Sequence, residues 1–195
     1  MKKEGNYFVR PGVIEGFAGP MMSGKTGKLI QRVDPLRWMN GRFSYMGFKP
    51  RVDDRNFNSR SERDFIKWNY IKKPEEIISI SKEYDLIAID EIQFFGKNIV
   101  DVVLELQKQE KNIIFSGLDL DFRGEPFGSM PELMAIANEF EKLHSVCTKC
   151  GDPAYYTQRL INGEPAHYNS PLISIEGESE YTARCFRHHE VPGKP

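Results

Sequence analysis

The sequence of 195 residues contains few cysteines, no long apolar run and almost no excess of charge of either sign. Its three cysteines cannot all pair within one chain, so a disulfide framework is excluded as the basis of the fold. No stretch approaches the roughly 18 apolar residues of a membrane helix, and none follows the N-terminal lysines, so we expect a cytoplasmic protein without a membrane partner. With 27 Lys and Arg against 28 Asp and Glu, the chain lacks the basic excess of proteins that coat nucleic acid.

The apolar residues, in contrast, suffice for a core and follow a regular order. At 39% hydrophobic residues, a wholly disordered chain is excluded. Short apolar runs predict strands, and the segments between them predict helices and loops. Strands separated by helical segments indicate an α/β fold with a parallel sheet and crossover helices. The predicted strands are 13–18, 43–48, 65–71, 86–90 and 112–118. The predicted helices are 24–40, which is interrupted at Asp34-Pro35, a short helix that begins at residue 74, and the helices 99–110 and 130–138. The predicted loops are 49–63 and 119–129.

The composition changes near Cys147, where turns, aromatic residues, cysteine and histidine become frequent. We therefore predict two domains, an α/β domain over residues 1–144 and a small lobe over residues 145–195. A lobe of about 50 residues buries too little surface to be stable alone and needs a staple such as a metal ion.

A phosphate-binding loop is predicted after the first strand. The segment from Gly19 to Thr26, GPMMSGKT, fits G-x-x-x-x-G-K-[ST] in full. Its backbone N–H groups would surround phosphate oxygens, Lys25 would supply positive charge, and the Thr26 hydroxyl would bind Mg²⁺ with ATP. The predicted phosphate-binding residues here are Gly19, Pro20, Met22, Ser23, Gly24, Lys25 and Thr26.

The apolar strand predicted over 86–90 ends in two carboxylates, Asp90 and Glu91. In nucleotide-binding sheets of this type, an acid in the position of Asp90 reaches Mg²⁺, and the adjacent Glu91 is placed to act as a general base. The base has two possible tasks, because deprotonating water gives an ATPase and deprotonating a substrate hydroxyl gives a kinase. The motif alone does not decide between them.

A metal site is predicted in the small lobe. Cys147 and Cys150 form C-x₂-C, and Cys185 with His188 forms C-x₂-H, which uses every cysteine of the chain. Three thiolates and one imidazole suit tetrahedral Zn²⁺ and leave no open position, so the site would be structural. His189 is an alternative fourth ligand that the sequence leaves open.

Five segments together resemble the type II thymidine kinases. They occur in the same order over nearly the whole chain: GPMMSGKT, DEIQFF from Asp90, LDLDFRGEPFG from Leu118, CTKCGDPAYYTQRL from Cys147 and EYTARCFRHH from Glu180. The resemblance implies transfer of the ATP γ-phosphate to the 5′-hydroxyl of thymidine. It also implies a RecA-like P-loop core with a parallel sheet, and a zinc ribbon that carries a lasso loop over the nucleoside.

The resemblance also implies roles for individual residues. Glu91 would be the catalytic base, Asp90 would help to hold Mg²⁺, and Asp53 and Arg55 would lie near the phosphates. Arg123 stays open between a phosphate contact and a solvated side chain. The residues that would contact the nucleoside are Met21, Phe94, Leu118, Phe122, Phe127, Thr157, Ile175, Gly177 and Tyr181. A homotetramer and feedback binding of thymidine triphosphate are further implications.

The alternative hypothesis is a RecA-like DNA-dependent ATPase with a zinc ribbon. The P-loop, the Asp90-Glu91 pair and the C-x₂-C motif are compatible with it. The flat charge balance counts against it, because binding to a nucleic-acid backbone depends on lysine and arginine contacts to phosphates. We therefore expect no nucleic-acid partner.

Overall fold

A sheet of six parallel strands forms the centre of the computed structural model, which describes residues 8–51, 65–173 and 179–195. The strand order is β3-β2-β4-β5-β1-β6. Because all six strands are parallel, their carboxyl ends lie along the same edge of the sheet. Within the sheet, β1 lies between β5 and β6. The strands are β1 (Ile14–Ala18), β2 (Tyr45–Pro50), β3 (Trp68–Ile71), β4 (Leu86–Ile89), β5 (Asn112–Gly117) and β6 (Glu139–Lys142).

Helices cover both faces of this sheet. They are α1 (Lys25–Val33), α2 (Glu76–Ile80), α3 (Ile99–Lys108) and α4 (Met130–Ile136), with 3₁₀ turns at Asp34–Trp38 and Ile92–Phe94. Because strand side chains alternate between faces, Leu86 and Ala88 share a core with α1, whereas Ile87 and Ile89 share a second core with α3. This two-sided burial explains the continuous apolar strands and confirms the predicted α/β fold with a parallel sheet. Within the described residues, no helix combines the length and apolarity required to cross a membrane.

Several predicted boundaries are wrong. Strand β2 continues through Lys49 and Pro50, which were predicted to begin a loop, because both pair with β3. The interrupted helix is confirmed, with α1 ending at Val33 and Pro35 lying in the first turn of the following 3₁₀ helix. The helix predicted over 130–138 ends at Ile136, and the chain then forms β6.

Strand β6 was not predicted at all. Its glutamates and its lysine are exposed, so it lacks the apolar run by which the other strands were identified. It forms because β1 offers a free edge, to which β6 adds in parallel.

The remaining strands form two small antiparallel sheets. β7 (Ser145–Val146) pairs with β8 (Pro153–Ala154), and β9 (Tyr156–Ile161) lies between β10 (Glu164–Pro165) and β11 (Glu180–Arg184). Among the described residues, the hydrophobic cluster around the cysteines has four buried members, Cys147, Ala154, Ala183 and Cys185. Such a small cluster agrees with the expected need for a staple. The domain boundary between residues 144 and 145 stays a prediction.

Candidate active site

The predicted phosphate loop joins the end of β1 to the start of α1. Gly24 precedes α1 with a left-handed backbone (φ 81°), which glycine adopts without strain. A Cβ atom at Gly19 would lie 2.5 Å from the carbonyl oxygen of Leu143, so a larger residue would displace this neighbour. The first N–H groups of α1 point into the loop and are suited to bind an anion. The structure thus places in one loop Gly19, Pro20, Met22, Ser23, Gly24, Lys25 and Thr26.

Two side chains of this loop bind the loop itself. The Lys25 ammonium donates to the carbonyl oxygen of Pro20 at 2.7 Å, and the Ser23 hydroxyl donates to the same oxygen at 2.8 Å. Burial lowers the pKa of Lys25, whereas the negative charges of Glu91 and Asp90 act in the opposite direction. The cation of Lys25 is therefore held inside the loop, where the acidic groups that follow β4 act on it.

Asp90 follows β4 and lies beside the end of the phosphate loop. The Thr26 hydroxyl donates to Asp90 Oδ2 at 3.0 Å and lies 3.2 Å from Oδ1. The structure thus brings together the two residues that were predicted to bind magnesium. A carboxylate and a hydroxyl are hard oxygen ligands, so this pair fits Mg²⁺.

Glu91 occupies a strained position at the end of the same strand. Its backbone is left-handed (φ 54°, ψ 37°), a conformation that costs a non-glycine residue about 1–3 kcal/mol. Gln93 donates from Nε2 to Glu91 Oε2 at 2.7 Å, and Gln93 Oε1 accepts the backbone N–H of Leu118 at 3.1 Å. The buried Gln93 thus fixes the Glu91 carboxylate relative to the loop after β5.

The environment of Glu91 favours a proton acceptor with a pKa above the ordinary value. Burial raises the pKa of Glu91, and the charge of Asp90 raises it further. The hydrogen bond from Gln93 and the charges of Lys25 and Lys49 act against this rise. A carboxylate whose pKa is moved toward neutrality is a stronger general base than a free one.

Phe94, three residues after Glu91, packs against a second phenylalanine. The rings of Phe94 and Phe127 meet edge to face, with centroids 5.4 Å apart and planes at 84°. Leu118 and Phe122 are buried in the loop that follows β5. Such apolar walls with a few fixed polar groups are typical of pockets for small planar ligands.

One face of the small sheet is joined to the phosphate loop. The Thr157 hydroxyl accepts the backbone N–H of Met21 at 3.0 Å. Thr157 and Arg159 are two residues apart on β9, and Tyr181 pairs with Arg159, so all three lie on one face. The structure therefore brings Thr157 to Met21, whereas Tyr181 shares its face of the sheet without a direct bond to the phosphate loop.

Two arginines hold Phe122 in place. The guanidinium carbons of Arg123 and Arg159 lie 5.1 Å and 5.4 Å from the centroid of its ring. Arg123 also donates to the carbonyl oxygens of Tyr168 at 2.8 Å and Ser170 at 2.9 Å. Arg123 thus binds the backbone of the small lobe, a contact that neither of the two alternatives drawn from the sequence included.

Four predicted site residues lie outside the described part of the chain. They are Asp53 and Arg55 near the phosphates, and Ile175 and Gly177 at the nucleoside. Their roles stay predictions.

The predicted metal ligands converge on one point. The four ligand atoms of Cys147, Cys150, Cys185 and His188 lie within 4.8 Å of one another. The sulfur atoms of Cys150 and Cys185 are 3.8 Å apart, and His188 Nδ1 lies 3.7 Å from Cys147 Sγ and 3.3 Å from Cys185 Sγ. Tetrahedral zinc with usual bond lengths requires about 3.8 Å between sulfurs and about 3.5 Å between sulfur and nitrogen. The group could therefore hold a metal ion and is compatible with zinc.

The environment of Cys147 also favours a metal-binding thiolate. Burial acts to raise the pKa of its thiol, but backbone hydrogen bonds from Cys185, Lys149 and Cys150 outweigh it and lower the pKa to about 5. A thiol in this state requires little energy to deprotonate when it binds a metal.

His189, the alternative fourth ligand, lies elsewhere. Its Nε2 donates to the carbonyl oxygen of Phe122 at 2.9 Å, and its ring stacks on Tyr156 with centroids 4.8 Å apart. The geometry therefore favours His188 as the fourth ligand and gives His189 a packing role between the small sheet and the Phe122 loop.

Three residues around the carboxylates were missed in the sequence. Lys49 lies 3.1 Å from Asp90 Oδ2, Ser116 donates to Asp90 Oδ1, and Gln93 binds Glu91. Lys49 belongs to β2 and Ser116 to β5, the two strands on either side of β4 in the sheet, and both are distant from Asp90 in the sequence, so no local pattern indicates them. Gln93 carries a weak signal, because it follows Glu91 by two residues.

Comparison with known proteins agrees with this geometry. A model of the thymidine kinase family matches residues 12–189. The thymidine kinase of Coprothermobacter proteolyticus is 44% identical over 186 residues, which cover 94% of this chain and 93% of that protein. The flagellar accessory protein FlaH of Methanocaldococcus jannaschii is a more distant likeness, with a TM-score of 0.47, 16% identity and coverage of 74% of this chain and 76% of that one. That likeness is too weak to indicate a function.

The matched range includes the phosphate loop, the Asp90-Glu91 pair and all four metal-ligand positions. It also includes Phe94, Phe122 and Phe127, which we call the aromatic wall. With the close curated relative, it favours a kinase over the DNA-dependent ATPase. The chain belongs to the thymidine kinase family.

Proposed function

We propose that this protein transfers the γ-phosphate of ATP to the 5′-hydroxyl of thymidine. The observation that carries the proposal is the buried Glu91 carboxylate, which interacts electrostatically with Lys25 of the phosphate loop, is fixed by Gln93 and lies three residues before Phe94. A carboxylate placed there would meet a nucleoside hydroxyl at the end of a bound triphosphate.

The reaction needs one proton transfer and one phosphoryl transfer. Glu91 accepts the proton of the 5′-hydroxyl as the oxygen forms its bond to the γ-phosphorus. The bond between the γ-phosphorus and the bridging oxygen breaks, and ADP leaves with the electron pair. Lys25 and the N–H groups of the phosphate loop stabilise the charge on the transferring group.

Thr26 and Asp90 would hold the Mg²⁺ of ATP. The ion, when bound, neutralises charge on the β- and γ-phosphate oxygens. Support for this assignment comes from the direct hydrogen bond between the two side chains and from their oxygen chemistry.

The aromatic wall would select the base. Phe94, Phe127 and the buried Phe122 provide apolar surface for a planar pyrimidine, and Thr157 connects this region to Met21. A nucleoside that leaves buried polar groups unpaired would be rejected strongly.

Cys147, Cys150, Cys185 and His188 would bind one structural Zn²⁺. The four side chains would occupy all four coordination positions of the ion. The ion would thereby join the β7–β8 sheet to the end of β11. A role in fold stability follows, because no position remains for a substrate.

The proposed activity is tested with purified, zinc-containing protein and labelled nucleosides. With ATP and Mg²⁺, thymidine should become thymidine monophosphate, whereas the purine nucleosides adenosine and guanosine should remain largely unphosphorylated. Labelled thymidine that stays unphosphorylated would contradict the proposal. ATP hydrolysis that DNA stimulates in the absence of nucleoside would support the ATPase instead.

A homotetramer, feedback binding of thymidine triphosphate and a cytoplasmic location are further predictions. They derive from the family resemblance and from the sequence, and each needs its own measurement.

A further inference from the structure

Lys49 is a buried cation in direct contact with the predicted magnesium ligand. It belongs to β2 and is 4% exposed, and its Nζ lies 3.1 Å from Asp90 Oδ2. The same Nζ lies 4.4 Å from the centroid of the Trp68 ring. A lysine that is almost fully buried is rare unless its charge is paired, and here both an anion and an aromatic face accept it.

The sheet itself determines this contact. Phe48 of β2 is in register with Ile89 of β4, so the residues that follow them, Lys49 and Asp90, emerge side by side. Trp68 begins β3 on the other side of β2. Three adjacent strands therefore fix the ammonium group at the edge where the phosphate loop lies.

Asp90 is bound by donors at both oxygens. Oδ1 accepts the hydroxyl of Ser116, Oδ2 lies beside Lys49, and the Thr26 hydroxyl lies within hydrogen-bond distance of both. A carboxylate held by three partners from three different elements has little freedom to rotate. Its orientation toward the phosphate loop is therefore set before any ligand binds.

We infer that Lys49 is a positioning residue for the proposed phosphoryl transfer, holding the Asp90 carboxylate toward Thr26 so that the pair receives the Mg²⁺ of ATP. The identity of the reaction in this inference rests on the proposed function. The role of Lys49 rests on the contacts of Lys49 and Asp90 described above. A simple structural ion pair is the competing explanation, and it would affect stability without altering the response to Mg²⁺.

The test replaces the cation and measures binding directly. In Lys49→Met the apolar stem remains and the charge is lost, Lys49→Arg keeps the charge, and Lys67→Met removes an exposed lysine near the same strands. The binding of a fluorescent ATP analogue is followed as Mg²⁺ is added, and again in EDTA. The turnover number, the KM for thymidine and the melting temperature are measured for each variant.

Lys49→Met should raise the Mg²⁺ concentration needed for half-maximal analogue binding by about 10- to 100-fold, because residues that orient metal ligands have effects of this size. The turnover number should fall in parallel, whereas analogue binding in EDTA and the KM for thymidine should change less than about twofold. Lys49→Arg should recover part of the Mg²⁺ response, and Lys67→Met should match the unchanged protein.

Two results would overturn the inference. A lower melting temperature with an unchanged Mg²⁺ response would make the pair purely structural. Weaker analogue binding in EDTA would make Lys49 a direct phosphate contact instead. If Lys49→Met does not fold, Lys49→Gln provides the same test, because it replaces the cation by a shorter, uncharged side chain that is still polar. An unchanged Mg²⁺ response in that variant would then count against the inference.

A failure of the proposed function can be distinguished from a failure of the inference about Lys49. A protein that binds the ATP analogue with a Mg²⁺ response sensitive to Lys49, but leaves thymidine unphosphorylated, would retain the positioning role and lose the assigned substrate. Normal thymidine phosphorylation with a Mg²⁺ response independent of Lys49 would give the opposite outcome.

Discussion

At the scale of single residues, Glu91 combines a strained backbone with a carboxylate that has a fixed partner. The left-handed conformation is unfavourable for glutamate, and the surrounding structure must compensate for it. Gln93 and Asp90 flank it on either side in the chain and determine its hydrogen bonding and its electrostatic environment. Strained residues cluster at active sites, so this conformation supports the role proposed for Glu91.

The substitution Glu91→Gln should therefore reduce turnover selectively. The amide keeps the size of the side chain and cannot accept the proton, so the turnover number should fall by about 10²- to 10⁴-fold. The affinity for the ATP analogue should change little, because the phosphate loop is unaltered. Steady-state kinetics and analogue binding measure the two quantities separately.

Glu83→Gln is the matched control, because it makes the same chemical change at an exposed residue before β4. It should leave both quantities as they are. An unchanged turnover number in Glu91→Gln would remove Glu91 from the role of general base.

At the scale of elements, the phosphate loop depends on its neighbours in the sheet. Leu143 follows β6, and its backbone N–H donates to the carbonyl oxygen of Ala18 at 2.7 Å. Its own carbonyl oxygen lies so close to Gly19 that a Cβ there would approach to 2.5 Å. The strand that the sequence did not predict therefore packs against the start of the loop.

Gly19→Ala should distort this junction, whereas Gly27→Ala should not. The added methyl at Gly19 meets backbone, so we expect a loss of about 1–3 kcal/mol in the free energy of unfolding and weaker binding of the ATP analogue. Gly27 lies in α1, and apart from its chain neighbours and the backbone of its own helix no heavy atom lies within 4 Å of an added Cβ, so alanine there should be neutral or stabilise by about 0.4–1 kcal/mol. Urea unfolding measures both.

Equal stability of these two variants would contradict the proposed packing of β6 against the loop. Reduced analogue binding in Gly27→Ala alone would likewise show that the helix, and not the strand junction, limits the loop.

The elements also show why part of the fold was predictable. Strands buried on both faces, such as Leu86–Ile89, carry a continuous apolar signal that survives without knowledge of their partners. Edge strand β6 carries no such signal, because its residues are mostly exposed and its partner lies more than 100 residues earlier in the chain. Lys49 looked like the first residue of a polar loop for the same reason, since only its pairing with β3 places it in a strand.

At the scale of the whole molecule, the metal site and the phosphate loop belong to different parts, which hydrogen bonds and ring contacts join. The hydrogen bond from Met21 to Thr157, the bond from His189 to Phe122 and the ring contacts of Phe122 join them. The sheet has large cores of its own on both faces, whereas the small sheets enclose only a small cluster around the cysteines. Stability should therefore be distributed unevenly.

Removal of zinc should disorder the small lobe before the parallel sheet. With a chelator and a reductant present, thymidine binding should be lost while the ATP analogue still binds, and the melting curve should gain an earlier transition. Calorimetry and the two binding measurements test this, and Cys150→Ser should behave like chelated protein.

Return of zinc should restore thymidine binding, and Mg²⁺ in its place should not, because thiolate ligands prefer zinc. Chelated protein that keeps full activity and its melting temperature would contradict a structural role for the metal.

The sequence by itself determined the features that depend on adjacent residues. The phosphate loop, the Asp90-Glu91 pair and the paired cysteine motifs each need a fixed spacing along the chain, so they are visible without a structure. Only the tertiary structure decided which distant groups join them. In the structure His188, and not His189, lies with the three cysteines, Arg123 binds the small lobe, and Lys49 lies beside Asp90. The physical reason is that sheet order and register, which arise from burial across the whole molecule, set the neighbours of a side chain at the edge of a sheet.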